Sequence, residues 1–109
     1  MNEIRQYANY LGHSDVYPFE VLETKSDRKV IVRMMKTERD TSWKPEIVPG
    51  GFVGHCTNQR EQRWNIESDI HGPTFAISKR KNGRWYRVGE THGQYAFADA
   101  PRKFYDYNF

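Results

Sequence analysis

The chain reads as a mainly β protein: a small barrel or strongly bent antiparallel sheet of about five strands, with at most one short N-terminal helix. Three observations predict it. Leucine occurs only at Leu11 and Leu22, while aromatic residues make up 15% of the chain. That balance suits strands and argues against a helical bundle. Runs of valine, isoleucine and aromatic side chains alternate with short polar turn segments. Asn82-Gly83 lies inside KRKNGRWYRV, the strongest local hairpin signal in the sequence. Hydrophobic residues total only 37%, so the core must be small and built largely from rings.

At 109 residues the chain has the length of one domain, 1–109, divisible into residues 1–14 and a β domain over 15–109. The first part is either a short helix or an arm. Ile4, Tyr7, Ala8 and Leu11 fall on one helical face, with Gly12 placed to end a helix over Asn2 to Leu11. Pro18 to Thr24 and Lys29 to Lys36 predict two strands joined by the polar turn Lys25 to Arg28. Their buried side would carry Phe19, Val21, Val30, Val32 and Met34. Thr37 to Pro49 is charged, contains two prolines and reads as a long loop or irregular edge holding Trp43.

A glycine-rich segment follows, and Gln59 to Ser68 alternates as a third strand with Trp64 and Ile66 on one face. Asp69 to Pro73 is a turn. Thr74 to Lys81 and Arg84 to Val88 flank Asn82-Gly83, where a two-residue type I′ turn is expected, since both central residues tolerate positive φ. Gly89 to Gly93 turns the chain again, and Tyr95 to Ala98 forms a last short strand. The terminal PRKFYDYNF is too aromatic to dangle and should pack across the sheet or across a second subunit, so a homodimer is one expected state.

Charge and cysteine content narrow the context. The formal charge is +3, which mildly favours polyanionic partners. Cys56 stands alone, so there is no intramolecular disulfide and a reducing, cytoplasmic setting is expected. No apolar run is long enough to span a membrane, and the first fifteen residues lack a signal core.

Catalysis finds little support. His13, Ser14 and Asp15 are adjacent, and a relay triad needs its members brought from separated positions. His13, His55, His71, His92 and Cys56 match no zinc spacing. No metal, cofactor or catalytic set is therefore expected.

Binding finds more. The segment GGFVGHCTNQREQRW offers bare backbone, hydrogen-bonding groups, positive charge and a flat ring together. His55, Asn58 and Gln59 are candidates to read a polar ligand, with Arg60 and Arg63 as cations. In the late hairpin Arg84 and Arg87 are further cations. Trp64 and Trp85 are candidate stacking surfaces, because rings beside arginines hold nucleotides and single strands. The same tryptophans also suit a core, and the sequence leaves both readings open. Trp43, Phe104, Tyr105, Tyr107 and Phe109 are candidate anchors for a protein partner.

The ordered set HSDVYPFEV, GGFVGHCTNQREQRW, a basic NGRW hairpin and a terminal FYDYNF resembles a group of short phage and prophage proteins. The likeness runs from His13 to Phe109. It implies a phage-encoded accessory protein acting in the host cytoplasm against host defence, and it carries over no catalytic residues. Together with the residues above, it suggests a non-enzymatic module that sequesters an anionic nucleotide-type ligand. The alternatives are an inhibitor gripping a host defence protein through its aromatic residues and a small nucleic-acid binder.

Overall fold

The structure is a computed structural model describing residues 3–50 and 53–107, with the side chains of 49, 50 and 53–55 left aside. Among the described residues ten strands form: β1 Tyr7–Leu11, β2 Val16–Ser26, β3 Lys29–Met34, β4 Lys36–Arg39, β5 Ile47–Gly50, β6 Val53–Cys56, β7 Trp64–Glu67, β8 Thr74–Lys79, β9 Trp85–Arg87 and β10 Gln94–Ala98. Six of them close into an antiparallel barrel in the order β1-β10-β9-β8-β3-β2. Between β3 and β8 the chain leaves the barrel and builds two ribbons, β4 with β7 and β5 with β6. No helix among the described residues is long and apolar enough to cross a membrane.

The β-rich expectation holds, with one more barrel strand than the sequence suggests. The extra strand comes from the segment expected to be a short helix or an arm. Residues Tyr7–Leu11 pair with β2 on one side and β10 on the other, so β1 gains two ladders where a ten-residue helix would have gained one stripe of contacts. Gly12 opens the turn into β2, its amide bonding the Asp15 carbonyl at 2.9 Å. Ala8 and Tyr10 point inward, while Asn9 faces out and is buried under the chain end. Asn9 donates to the Ala100 carbonyl at 3.3 Å and accepts from the Arg102 amide at 2.9 Å, so the buried amide is satisfied on both sides.

The β2–β3 hairpin forms as expected. Phe19, Val30 and Val32 are buried, with Val21 and Met34 packed against them. The late hairpin also forms, but its turn differs. Gly83 has φ +82° and no residue other than glycine has positive φ among those described, so Asn82 does not take the type I′ geometry. The Gly83 amide bonds the Arg80 carbonyl and the Arg80 amide bonds the Arg84 carbonyl, both at 2.9 Å. The loop is thus three residues long with glycine in the left-handed position, the bulge-type alternative to a two-residue turn. Asn82 instead caps the turn by accepting the Arg84 amide at 2.9 Å.

In the inserted region the expected loop Thr37 to Pro49 contributes strand at both ends, within β4 and β5. The expected strand from Gln59 begins as one turn of 3-10 helix, Gln59–Glu61, and pairs as a strand only from Trp64. An ion pair between β2 and β3 also anchors the insert, through a serine hydroxyl. Arg33 Nη2 meets Glu20 Oε1 at 2.6 Å, and the Ser68 hydroxyl donates to Glu20 Oε2 at 2.7 Å. Burial alone would raise the Glu20 carboxyl, but these two donors outweigh it and hold the group below its ordinary range.

The inward pleat divides the barrel along its axis. Trp85 fills one end, its ring meeting Phe97 edge-on at 4.9 Å over Ala8, Val30 and Ile77. The other end carries Tyr10, Phe19, Phe75 and Tyr95, whose centroids lie 5.1 to 6.1 Å apart. Closing this end depends on Gly93. Its φ is +70°, and a Cβ there would fall 2.2 Å from the Tyr10 hydroxyl oxygen. Gly89 has φ +89° with open space around it. Gly89→Ala should therefore cost about 1 kcal/mol of backbone strain. Gly93→Ala adds overpacking of about 1–3 kcal/mol. Urea denaturation of both variants checks this, and equal losses would contradict the close approach of Tyr10.

Candidate functional site

The glycine-rich segment works mainly inward. Asn58 Oδ1 accepts the Glu46 amide at 2.8 Å, and Nδ2 donates to the Lys44 carbonyl at 2.8 Å. Gln59 Oε1 accepts the Tyr107 amide at 2.9 Å. Gln62 Nε2 donates to the Tyr105 carbonyl at 2.9 Å, and its Oε1 accepts the Tyr105 amide at 2.8 Å. The side-chain amides of Gln59 and Gln62 thus act like a neighbouring strand for the chain end. Asn58 and Gln59, expected to read a ligand, are committed to backbone groups. His55 lies on β6, and its side chain is outside those described. Arg60 and Arg63 are exposed on the insert, and the Arg63 carbonyl accepts the Asp40 amide.

Of the expected partner anchors, Trp43, Phe104 and Tyr107 are built into the fold, while Tyr105 stays 43% exposed. Trp43 is only 6% exposed and packs on Tyr107 at 5.5 Å between centroids. Tyr107 in turn meets Tyr105 edge-on at 4.7 Å. Phe104 exchanges both backbone hydrogen bonds with Val16 at 3.0 Å, and the Asp106 amide donates to Asp15 Oδ1 at 2.8 Å. Phe109 lies outside the described residues. The tail therefore packs across its own barrel, because its backbone finds partners there. Lys103 lies over it, with Nζ 3.8 Å from the Tyr17 ring centre and 5.4 Å from that of Trp64. Burial lowers the Lys103 ammonium from its ordinary value, and nearby Asp15 opposes that shift.

The two candidate stacking tryptophans separate. Trp85 is 1% exposed and its Nε1 has no hydrogen-bond partner. It is a core group, closed to any ligand without unfolding the end it fills. Trp64 is half-buried beneath Lys103, and its Nε1 donates to Gln62.

Arg87 is the candidate that reaches the barrel interior. It shares the inward pleat with Trp85 and stands opposite Ile77 across the β8–β9 ladder. Its guanidinium carbon sits 4.2 Å from the centre of the Phe75 ring. There it borders a cavity of about 330 Å³ at the unplugged barrel end, walled by Tyr10, Tyr17, Phe19, Phe75 and Tyr95 and rimmed by Glu90. Arg87 Nη1 and Glu90 Oε1 are 4.0 Å apart, a loose exposed pair that a ligand can displace at small cost. Burial, with smaller contributions from Tyr10 and Glu90, raises the Tyr95 hydroxyl far above its ordinary value, so it stays a neutral phenol. Arg84 immediately precedes β9 and lies in a separate groove with His13 and His92.

Nothing in the sequence marked these rings as a set. They come from β1, β2, β8 and β10 and meet only when the barrel closes. Their one local signal is the every-other-residue spacing of Tyr17 with Phe19 and of Phe75 with Ile77, which marks an inward face but not an open one.

Comparison with protein-family models, curated proteins and solved structures finds no match.

Releasing one amide latch should loosen the chain end, together with the Trp64 indole that donates to the same side chain. Gln62→Ala removes both bonds to Tyr105, worth about 1 kcal/mol or slightly more in this exposed setting. Limited proteolysis after residue 103 should then quicken by about five- to tenfold, with Arg60→Ala as a control that leaves the rate unchanged. Equal rates in both variants would show that the latch does not hold the tail.

Proposed function

We propose that the protein is a non-enzymatic binding module that takes a small anionic ligand with a flat ring, of nucleotide type, into the ring-walled mouth of its barrel. The observation that carries the reading is Arg87 lying 4.2 Å over Phe75 at the edge of a cavity of about 330 Å³. That volume is at the lower end of those that hold small molecules, and its mix of apolar wall and few polar groups is typical of them. Ring faces supply stacking worth about 1–3 kcal/mol per base. The guanidinium supplies a fixed positive charge that suits a phosphate or carboxylate, and the Glu90 carboxylate can accept from an amino or hydroxyl group.

The ionisable groups lining the mouth are three tyrosines, Arg87 and Glu90. They contain no nucleophile paired with a base, so binding rather than turnover is the activity assigned. The resemblance to phage accessory proteins supplies the proposed role, removal of a host nucleotide signal from circulation. A second reading, direct inhibition of a host defence protein, draws on Ile47 and Val48 of β5, each 52% exposed, and on Tyr105 of the tail, 43% exposed.

Calorimetric titration with a panel of mono-, cyclic and ADP-ribose nucleotides tests the first reading. Arg87→Gln should weaken the best ligand by about 10- to 100-fold, the range for a lost charge-assisted contact. Ile47→Lys should leave it unchanged. No binding across the panel, or affinity indifferent to Arg87, would overturn the assignment.

A further inference from the structure

A second cavity of about 550 Å³ lies against the outer wall of the barrel near the same mouth, and Tyr10 borders both. Its lining includes His13, Arg84, Tyr86, Thr91, His92 and Gln94, and no carboxylate is among its lining residues. His13 is remote in sequence from the other five, which fall between residues 84 and 94. The ladders bring them together: Leu11 stands opposite Gln94, and Gln94 opposite Tyr86. The turn after β1 therefore carries His13 to the turn before β10 that carries His92, with Arg84 at the start of the neighbouring strand.

The charge at this corner is unbalanced. Arg84 makes no ion pair among the described residues, and its backbone amide is engaged only by Asn82 in the turn. Arg80 adds a further cation nearby. Its Nη2 donates to the carbonyls of Arg87 at 3.2 Å and Glu90 at 2.6 Å, and its guanidinium carbon lies 5.1 Å from the Tyr86 ring centre. Carbonyl oxygens satisfy its donors without cancelling its charge. Arg80 also fixes the β9–β10 turn that presents Thr91 and His92. Tyr86 and Thr91 continue the groove into a cleft holding Arg80, Lys81 and Asn82. The thin wall between the groove and the mouth is the Tyr10 ring, which approaches so closely because position 93 is glycine.

We infer that this groove is an oxyanion subsite for the phosphate groups of the ligand whose ring enters the mouth. The inference rests on the proposed function for the ring but not for the anion, since inorganic pyrophosphate can occupy the groove alone. Arg84 provides a forked donor suited to phosphate geometry. His13 and His92 flank it from two turns, and Tyr86, Thr91 and Gln94 offer neutral hydrogen bonds. A ligand spanning the site would lay its ring among Tyr10, Phe75 and Tyr95 and carry its phosphate past Tyr10 to Arg84.

The test is an NMR titration of the full chain at constant ionic strength, with inorganic pyrophosphate and adenosine as separate probes. Pyrophosphate should shift the amides of His13, Thr91, His92 and Gly93 together with Arg84 Nε. Arg84→Gln should weaken that response at least tenfold, while its amide spectrum and melting temperature show the fold retained. Adenosine should instead move Phe75 and Tyr95 and be indifferent to Arg84→Gln. Pyrophosphate shifts spread over Lys25, Lys29 and Lys36, or insensitive to Arg84→Gln, would overturn the subsite and leave only a diffuse basic surface. Adenosine silent while pyrophosphate binds would sink the ring reading and keep the subsite. A short single-stranded oligonucleotide binding at least tenfold tighter than pyrophosphate, with affinity falling steeply in salt, would reassign the groove to nucleic acid.

Discussion

Pairing of β1 with β10 is the contact on which the rest depends. It joins segments nearly ninety positions apart, from Tyr7 opposite Ala98 to Leu11 opposite Gln94, and it turns an open sheet into a barrel. A closed barrel has no unpaired edge to template aggregation. It also completes the inward face: Ala8 meets Phe97, and Tyr10 meets Tyr95. Without that ladder Tyr10 would neither wall the mouth nor separate it from the groove beside it. Gly93 allows the ladder to finish, since any larger residue would meet the Tyr10 ring.

In the proposed reading, stability and binding fall to opposite ends of one interior. Trp85, Ile77, Val30 and Ala8 fill one end completely, and such packing is the main source of stability in a domain with so few aliphatic residues. At the other end the rings contact one another but leave space, and Arg87 replaces an apolar residue on the inward pleat. A charged side chain at that position is tolerable only because the barrel is open there and the Phe75 face receives the guanidinium. The insert and chain end brace the outside. Gln59, Gln62 and Asp15 hold residues 105–107 by their backbone amides, so the aromatic tail is part of the wall.

The sequence was legible where local pattern and tertiary context agreed. The β2–β3 hairpin and the strands around Asn82-Gly83 were plain, because alternation and turn chemistry pointed the same way. The turn itself was one residue longer than Asn-Gly implies, since Gly83 alone takes positive φ. Tyr7–Leu11 misled because its apolar residues fit a helical face over a span too short to decide, and two neighbouring strands then overrode it. Among candidate site residues, Arg84 and Arg87 were visible as cations in a hairpin. Their separation into two cavities agrees with simple alternation. Asn58 and Gln59 were misread because their partners, Lys44, Glu46 and Tyr107, are remote, and a polar side chain does not announce which backbone it will satisfy. Tyr10, Tyr17 and Phe75 were invisible as a site, since only barrel closure assembles them.

The central claim is that the open barrel end receives a small ring-bearing anion. Native mass spectrometry of the protein purified from cells, before and after denaturation, tests it most directly. The account predicts a nucleotide-sized mass that travels with the folded chain, is released on unfolding and is lost in Arg87→Gln. A spectrum of bare protein that stays bare after incubation with nucleotides, including cyclic and ADP-ribose forms, would contradict it.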